Sequence, residues 1–492
     1  MDRASSHNSE DPEKINHDSQ SSRESPSPAP VVDPALDKRV WRKLDLFILP
    51  VVTMFYLLSF LDRSNIGNAR VANLQKDLKM TNQQYSIALT VTYVPYIVAE
   101  LPSNLLLKAV GPNLMLPTML TLWGVVTTLQ GVAHNYHALL VCRFFLGLFE
   151  GGVFPGLVLY LSFFYPRQQL QWRIAAFFSA ASIAGAFSGL LAFGIINMDG
   201  IGNRPGWAWI FILEGLFTFL FGLSGYVLLP RSPAHARFLS QKEKDYITHK
   251  LKEDGATARN EVMDAFSWRE VGMAFRLPQV WMLAIAFFFD GTILYGLAYF
   301  TPSIVQGLGF TASRAQLMSV PPFAVAFVVM IFGAYISDRY RCRGFVSIFS
   351  SFLCIIGFGM FLGSAKHHIQ YASLFFSITG TYLAAPTLST WSANNATPHI
   401  RRATAIAIGF IMTNSGGILA TWLLGSLSAA PRYILATRVL LAFSVLMAAF
   451  CAANTWYLWD QNKKKAAIRA TSTIDKEEPG LGDRSAWFDY AL

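Results

Sequence analysis

Charge is scarce in this chain. Only 14% of its 492 residues are Asp, Glu, Lys or Arg, where a soluble domain carries about 25%. A chain that is 53% apolar with so few charges is suited to lipid rather than water. Cysteine is scarce too. Cys142, Cys354 and Cys451 fall in apolar stretches and Cys342 in an inner connection, with none in an external loop, so no disulfide framework is expected. No Cys/His spacing suits zinc, and no metal or other cofactor is expected. The absence of a G-x-x-x-x-G-K-[ST] phosphate loop excludes an ATP-driven pump contained in this chain. No nucleophile–base constellation is evident, so an enzyme is not expected. The formal net charge of +10 would suggest nucleic acid in a soluble protein. Here the basic residues occupy short connections between apolar stretches, which is a signal of membrane topology, and no nucleic-acid partner is expected.

What is present is a series of long apolar runs. A spanning helix needs roughly 20 mostly apolar residues. Runs of that kind lie at 44–68, 85–107, 114–133, 138–163, 174–197, 207–229, 280–302, 315–336, 345–364, 370–391, 403–425 and 433–459. The expected fold is therefore an all-α membrane protein with twelve transmembrane helices in two six-helix halves. The first half is placed at 37–229 and the second at 280–459, joined by a polar central loop at 230–279. Residues 1–36, rich in Ser, Pro, Asp and Glu, are expected to be a disordered tail, and 460–492 a second tail. No apolar run follows within the first thirty residues, so no secretory signal peptide is expected. Two such halves place a substrate site near the midplane between them.

Lys and Arg set the orientation. Lys38, Arg39, Arg42 and Lys43, the basic central loop, Arg339, Arg341 and Arg343, Arg401 and Arg402, and Lys463 to Lys465 all fall on one side. Connections on the other side are poor in Lys and Arg except after the first span, where Arg70, Lys76 and Lys79 stand. Both termini are thus expected in the cytoplasm, and the plasma membrane is the expected location. Small residues at Ala181, Gly185 and Gly189 in the fifth span, and at Gly409, Thr413, Gly416 and Gly417 in the eleventh, suit close helix packing.

Ionisable groups inside spans are costly and mark function by default. The first apolar run, Leu46 to Leu61, covers only about 24 Å at 1.5 Å per residue, short of the roughly 30 Å hydrocarbon core. The helix must continue through Asp62 and Arg63 to cross. In the fourth span Glu150 lies near mid-depth, and Arg143 lies at a depth similar to Asp62 and Arg63. Arg143 and Glu150 are seven residues apart and share a helix face, so a wall of mixed charge is expected between the first and fourth spans. Arg63 and Arg143 are candidates to bind a carboxylate, which a guanidinium matches with two parallel hydrogen bonds. Asp62 and Glu150 are candidates to gain and lose a proton. A fixed structural ion pair is the alternative for Arg143 and Glu150, and Glu100 and Glu214 read more simply as structural. In the second half Asp290 is the one acidic residue placed inside a span, and Asn414 is a neutral candidate for binding substrate or for bonding helices together. The turn GAYISDRYRCR at 333–343 suits a cytoplasmic gate made by Asp338 and Arg339.

Several segments resemble a known pattern. LDRSNIGNA at 61–69, ELPSNLLLK at 100–108, RFFLGLFEGGVFPG at 143–156, GWAWIFILEG at 206–215 and DRYRCR at 338–343 are similar to the anion:cation symporter branch of the major facilitator superfamily, and within it to fungal allantoate permease-type transporters. The resemblance covers about 40–460. It implies proton-coupled movement of small organic anions. It also implies that Arg63 contacts substrate carboxylate with Arg143 as its partner in the fourth span, that Asp62 and Glu150 couple protons, and that Asn414 contacts ligand. The expected partners are a small organic anion, protons and the bilayer, with the chain a monomer. Import of a vitamin-like monocarboxylate such as nicotinate is the leading expectation. Export of an acidic metabolite, and a sensor that binds without transporting, fit the same residues.

The topology has a direct check. The only N-x-[ST] sequon is Asn395-Ala396-Thr397, which this orientation puts in the cytoplasm. It should carry no glycan, and a glycosidase-sensitive mass shift that vanishes in Asn395→Gln would contradict the orientation.

Overall fold

The computed structural model describes residues 34–492 except 167–172, 175, 178–179, 261–267, 398 and 472–480. The expected N-terminal tail lies outside the described residues as far as position 33. Every extended regular element among the described residues is helical. The chain begins with α1 (Pro34–Phe47), continues almost unbroken into α2 (Leu49–Val71) and, after a one-turn helix, enters α3 (Asn82–Val110). There follow α4 (Pro112–Gln130), α5 (Tyr136–Glu150), α6 (Val153–Ser162), α7 (Ala180–Ile195) and α8 (Gly206–Leu228). The central segment holds α9 (Gln241–Asn260) and α10 (Trp268–Arg276). The second half comprises α11 (Pro278–Gly307), α12 (Ala312–Tyr340), α13 (Arg343–Gly363), α14 (His367–Asn394), α15 (His399–Trp422) and α16 (Ile434–Thr471).

Seven helices among the described residues are long and apolar enough to cross a membrane by length and composition alone. The other five expected spans are α3, α4, the broken pair α5–α6, α7 and α14. α14 is dotted with Ser and Thr, α3 opens with Asn-Gln-Gln, and α5 and α6 are short pieces separated at Gly151 and Gly152. Those glycines lie against the Tyr96 backbone and Ser103 of α3.

Three features depart from the sequence reading. The polar segment before the first span begins a helix at Pro34, and α1 is tied to α9 by Lys43–Glu243 at 2.8 Å and Lys250–Asp37 at 3.2 Å. The central loop is helical in part because α9 and α10 each have a neighbour to dock on: α9 packs on α1, and α10 on α15. The C-terminal residues fold back onto the second half. Asp483, fully buried, pairs with Arg401, which also binds Glu270 of α10 at 2.7 Å. Trp391 and Asn395 donate to the carbonyl of Ala491 at 2.8 and 3.0 Å. These groups at the end of α14 thus cap a backbone segment that would otherwise be unsatisfied.

The principal contacts between the halves pair α2 with α11, α3 with α15 and α7 with α12. They close tightly at the end away from α1, α9 and α10. There Gln316 donates to the backbone carbonyl of Asn68 at 3.2 Å, Ser86 to that of Thr421 at 3.1 Å, and the hydroxyls of Tyr93 and Tyr299 meet at 2.9 Å. Gly67 lies directly against the backbone of Tyr299, and Gly189 against Gln316 and Ser319, so any side chain at either position would force the halves apart.

Candidate functional site

Successive residues on a helix point about 100° apart, and α2 uses this to divide its charges. Arg63 faces the second half, while its neighbour Asp62 faces the interior of the first. Arg63 Nε donates to Glu150 Oε1 at 2.6 Å, and Ser59, one turn earlier on α2, donates to the same oxygen at 2.6 Å. Arg63 Nη1 donates to the Tyr295 hydroxyl of α11 at 2.7 Å. Tyr295 in turn donates to Asn414 Oδ1 of α15 at 3.4 Å. Aromatic rings wall the guanidinium, with the Tyr96 centroid 5.0 Å and the Phe60 and Tyr295 centroids 5.6 Å from Cζ. Nη2 has no hydrogen-bond partner among the described residues.

Arg63 and Tyr295 line two cavities. One lies toward the tightly closed end beside Ser64, Asn68 and Gly185. The other lies between the halves and carries Glu150, Asp290 and Asn414 together with Arg63. Phe154 of α6 and Phe410 of α15 border it with their centroids 4.9 Å apart.

Asp62 does not line either cavity. It accepts from Asn65 at 3.3 Å and from Thr127 at 3.2 Å, and Asn65 also donates to Glu214, so two carboxyl groups meet through one amide inside the first half. Arg143 is also away from the cavities. The expected wall shared by Arg143 and Glu150 is not formed. Glu150 is taken by Arg63 across the α2–α5 contact, whereas Arg143 packs 5.8 Å from the Phe211 ring of α8, with Nε and Nη2 lacking hydrogen-bond partners among the described residues. One shared helix face was too coarse a guide, because a long side chain two turns away along that face reaches a different neighbour. Arg339 is exposed at the end of α12, and the side chain of Asp338 lies outside the described residues. All four cysteines are free.

Sequence reasoning missed Tyr56, Ser59 and Tyr96 as cavity residues. The first two sit seven and four positions before Arg63, on its own helix face, so a helical wheel drawn from Arg63 would have found them. Nothing in the local sequence marks Tyr96.

The comparisons with known proteins agree with this architecture. The family profile of the Major Facilitator Superfamily matches residues 52–421. An uncharacterised transporter of Schizosaccharomyces pombe is 35% identical, over 92% of this chain and 89% of its own length. The high-affinity nicotinic acid transporter of Saccharomyces cerevisiae is 32% identical, over 92% of this chain and 85% of its own. Among solved structures, a D-xylose–proton symporter superposes with a TM-score of 0.66 at 14% identity, covering 82% of this chain and 97% of that one, a likeness of fold alone. The chain belongs to the Major Facilitator Superfamily, and it is a membrane transporter rather than an enzyme.

Proposed function

We propose that this transporter carries a small organic monocarboxylate together with protons, and that Arg63 is where the two meet. The observation that carries this reading is the Arg63–Glu150 pair at 2.6 Å on the wall of the central cavity, with Glu150 only 2% exposed. Arginine keeps its proton, so a buried guanidinium needs an anion. A substrate carboxylate entering the cavity competes with Glu150 for Arg63 and finds Nη2 already open. As Arg63 turns to the substrate, Glu150 loses its cation in a low-dielectric site, where an isolated carboxylate is costly, and takes up a proton. Anion and proton therefore bind together, and the coupling is reciprocal. Asn414 and Tyr295 bring the second half into the same network, so ligand binding is felt on both sides of the interface.

Asp62 shares proton traffic at one remove, through its network with Asn65 and Glu214. Arg143 tunes that network electrostatically instead of touching substrate. Asp338 and Arg339 form part of a gate at the loop end. On this reading the protein resides in the plasma membrane, with both termini and the central helices on the cytoplasmic side. The buried position of Asn395 against Ala491 agrees with its sequon being unused. The yeast relative makes nicotinic acid the first compound to test, and import the first direction.

Two substitutions test this. Lysine lacks the planar fork, so Arg63→Lys should lower uptake of an anionic substrate at least about ten-fold with normal amounts of protein in the membrane. Near-normal kinetics would assign Arg63 a purely structural role. Glu150→Gln mimics the protonated state. In vesicles it should keep counterflow of labelled substrate yet lose accumulation driven by a pH gradient. Retained pH-driven accumulation would place the coupling proton elsewhere.

A further inference from the structure

The central cavity carries a second acidic group that the coupling scheme does not use. Asp290 of α11 is 1% exposed and lines the cavity with Arg63 and Glu150. Thr381 of α14 donates to its Oδ1 at 2.8 Å. Its other carboxyl oxygen has no hydrogen-bond partner, and no cation pairs with it, among the described residues. A buried carboxyl group held by one hydroxyl is not stable as an isolated charge. It needs either a proton or a positive partner. Asp62 and Glu214 are different, because they are enclosed within the first half and line neither of these two cavities.

The charges around the cavity are therefore uneven. Arg63 is matched by Glu150, and Asp290 is unmatched. A simple carboxylate bound at Arg63 leaves Asp290 with a single hydrogen bond and no charged partner. A ligand that also bears a basic nitrogen corrects the imbalance. With its carboxylate at Arg63 on the first half, its nitrogen meets Asp290 on the second. The nitrogen and the carboxyl group then share one proton in a charge-assisted hydrogen bond, whichever of them formally holds it. Tyr96, Phe287 and Phe410 line the same cavity and offer apolar faces to whatever joins the two polar ends.

We infer that the substrate is an amphoteric acid, with its carboxylate bound at Arg63 and a basic nitrogen bound at Asp290. This inference rests on the organic-anion reading and narrows it. Asp290 then acts as a specificity residue, and a ligand with both groups bridges the two halves.

Matched pairs of acids test it by calorimetric binding to the purified full chain. One pair is pyridine-3-carboxylate and benzoate, and the other is piperidine-4-carboxylate and cyclohexanecarboxylate. In at least one pair the base-bearing acid should bind about ten-fold tighter, the scale of one hydrogen bond to a charged group. Asp290→Asn, which keeps an acceptor for Thr381, and the shorter Asp290→Ser should each bring that preference below about two-fold. Equal binding within both pairs, lost in Arg63→Lys, would overturn the amphoteric assignment and leave the anion reading standing. A preference that persists in both Asp290 variants would overturn the role of Asp290. Variants that bind neither acid would make Asp290 structural and overturn the inference. Failure of all four acids to bind the wild type would overturn the anion reading and this inference with it.

Discussion

A guanidinium that cannot shed its proton stands at the middle of a lipid-spanning protein, and the centre of the structure is arranged around that fact. Arg63 satisfies its charge with Glu150 from its own half and its hydrogen bonding with Tyr295 from the other. Removing one partner of a buried pair costs about 3–5 kcal/mol, so on the proposed mechanism Glu150 leaves Arg63 only when another anion replaces it. On that mechanism substrate entry and proton uptake are one event. It also explains why the pair sits on a cavity wall. In a closed core no substitute anion could reach it.

The surrounding fold allows that event to become movement. The ion pairs outside the centre leave the interface between the halves free: Arg173–Asp45 lies within the first half, Lys43–Glu243 ties that half to α9, and Arg401 ties the second half to Glu270 of α10 and to Asp483. Contacts between the halves at the closed end are of another kind. They are hydroxyl, amide and carbonyl groups meeting over glycines, as at Gly67 with Tyr299 and Ser86 with Thr421. Such hydrogen bonds are individually worth about 1 kcal/mol and can be exchanged for water. Rigid halves joined by replaceable contacts suit rocking about a central site. The docked C-terminal residues add to the rigidity of the second half by bonding α11, α14, α15 and α16 through one strap.

Much of this was legible in the sequence. Twelve apolar runs and the short first run ending at Asp62 and Arg63 followed from the thickness of the bilayer. The same argument singled out Arg63, Glu150 and Asn414, which the structure gathers on one cavity. What stayed hidden depended on side-chain direction. Depth alone placed Arg143 level with Asp62 and Arg63, but not which neighbour each would face. Asp62 and Arg63, adjacent in sequence, point into different environments. The C-terminal strap was hidden for another reason. Polar residues after a last span read as a solvated tail, and only Arg401, Trp391 and Asn395, distant in sequence, make a site for Asp483 and Ala491.

The central claim is that substrate displaces Glu150 from Arg63 and thereby draws in a proton. Proton uptake on binding measures this without any transport. Calorimetric titrations of the purified chain with a bound monocarboxylate, in buffers of differing ionisation enthalpy, give the number of protons taken up. The account predicts about one proton per substrate in the wild type near neutral pH and none in Glu150→Gln, with substrate still bound. Binding with no proton uptake in the wild type, or undiminished uptake in Glu150→Gln, would contradict it.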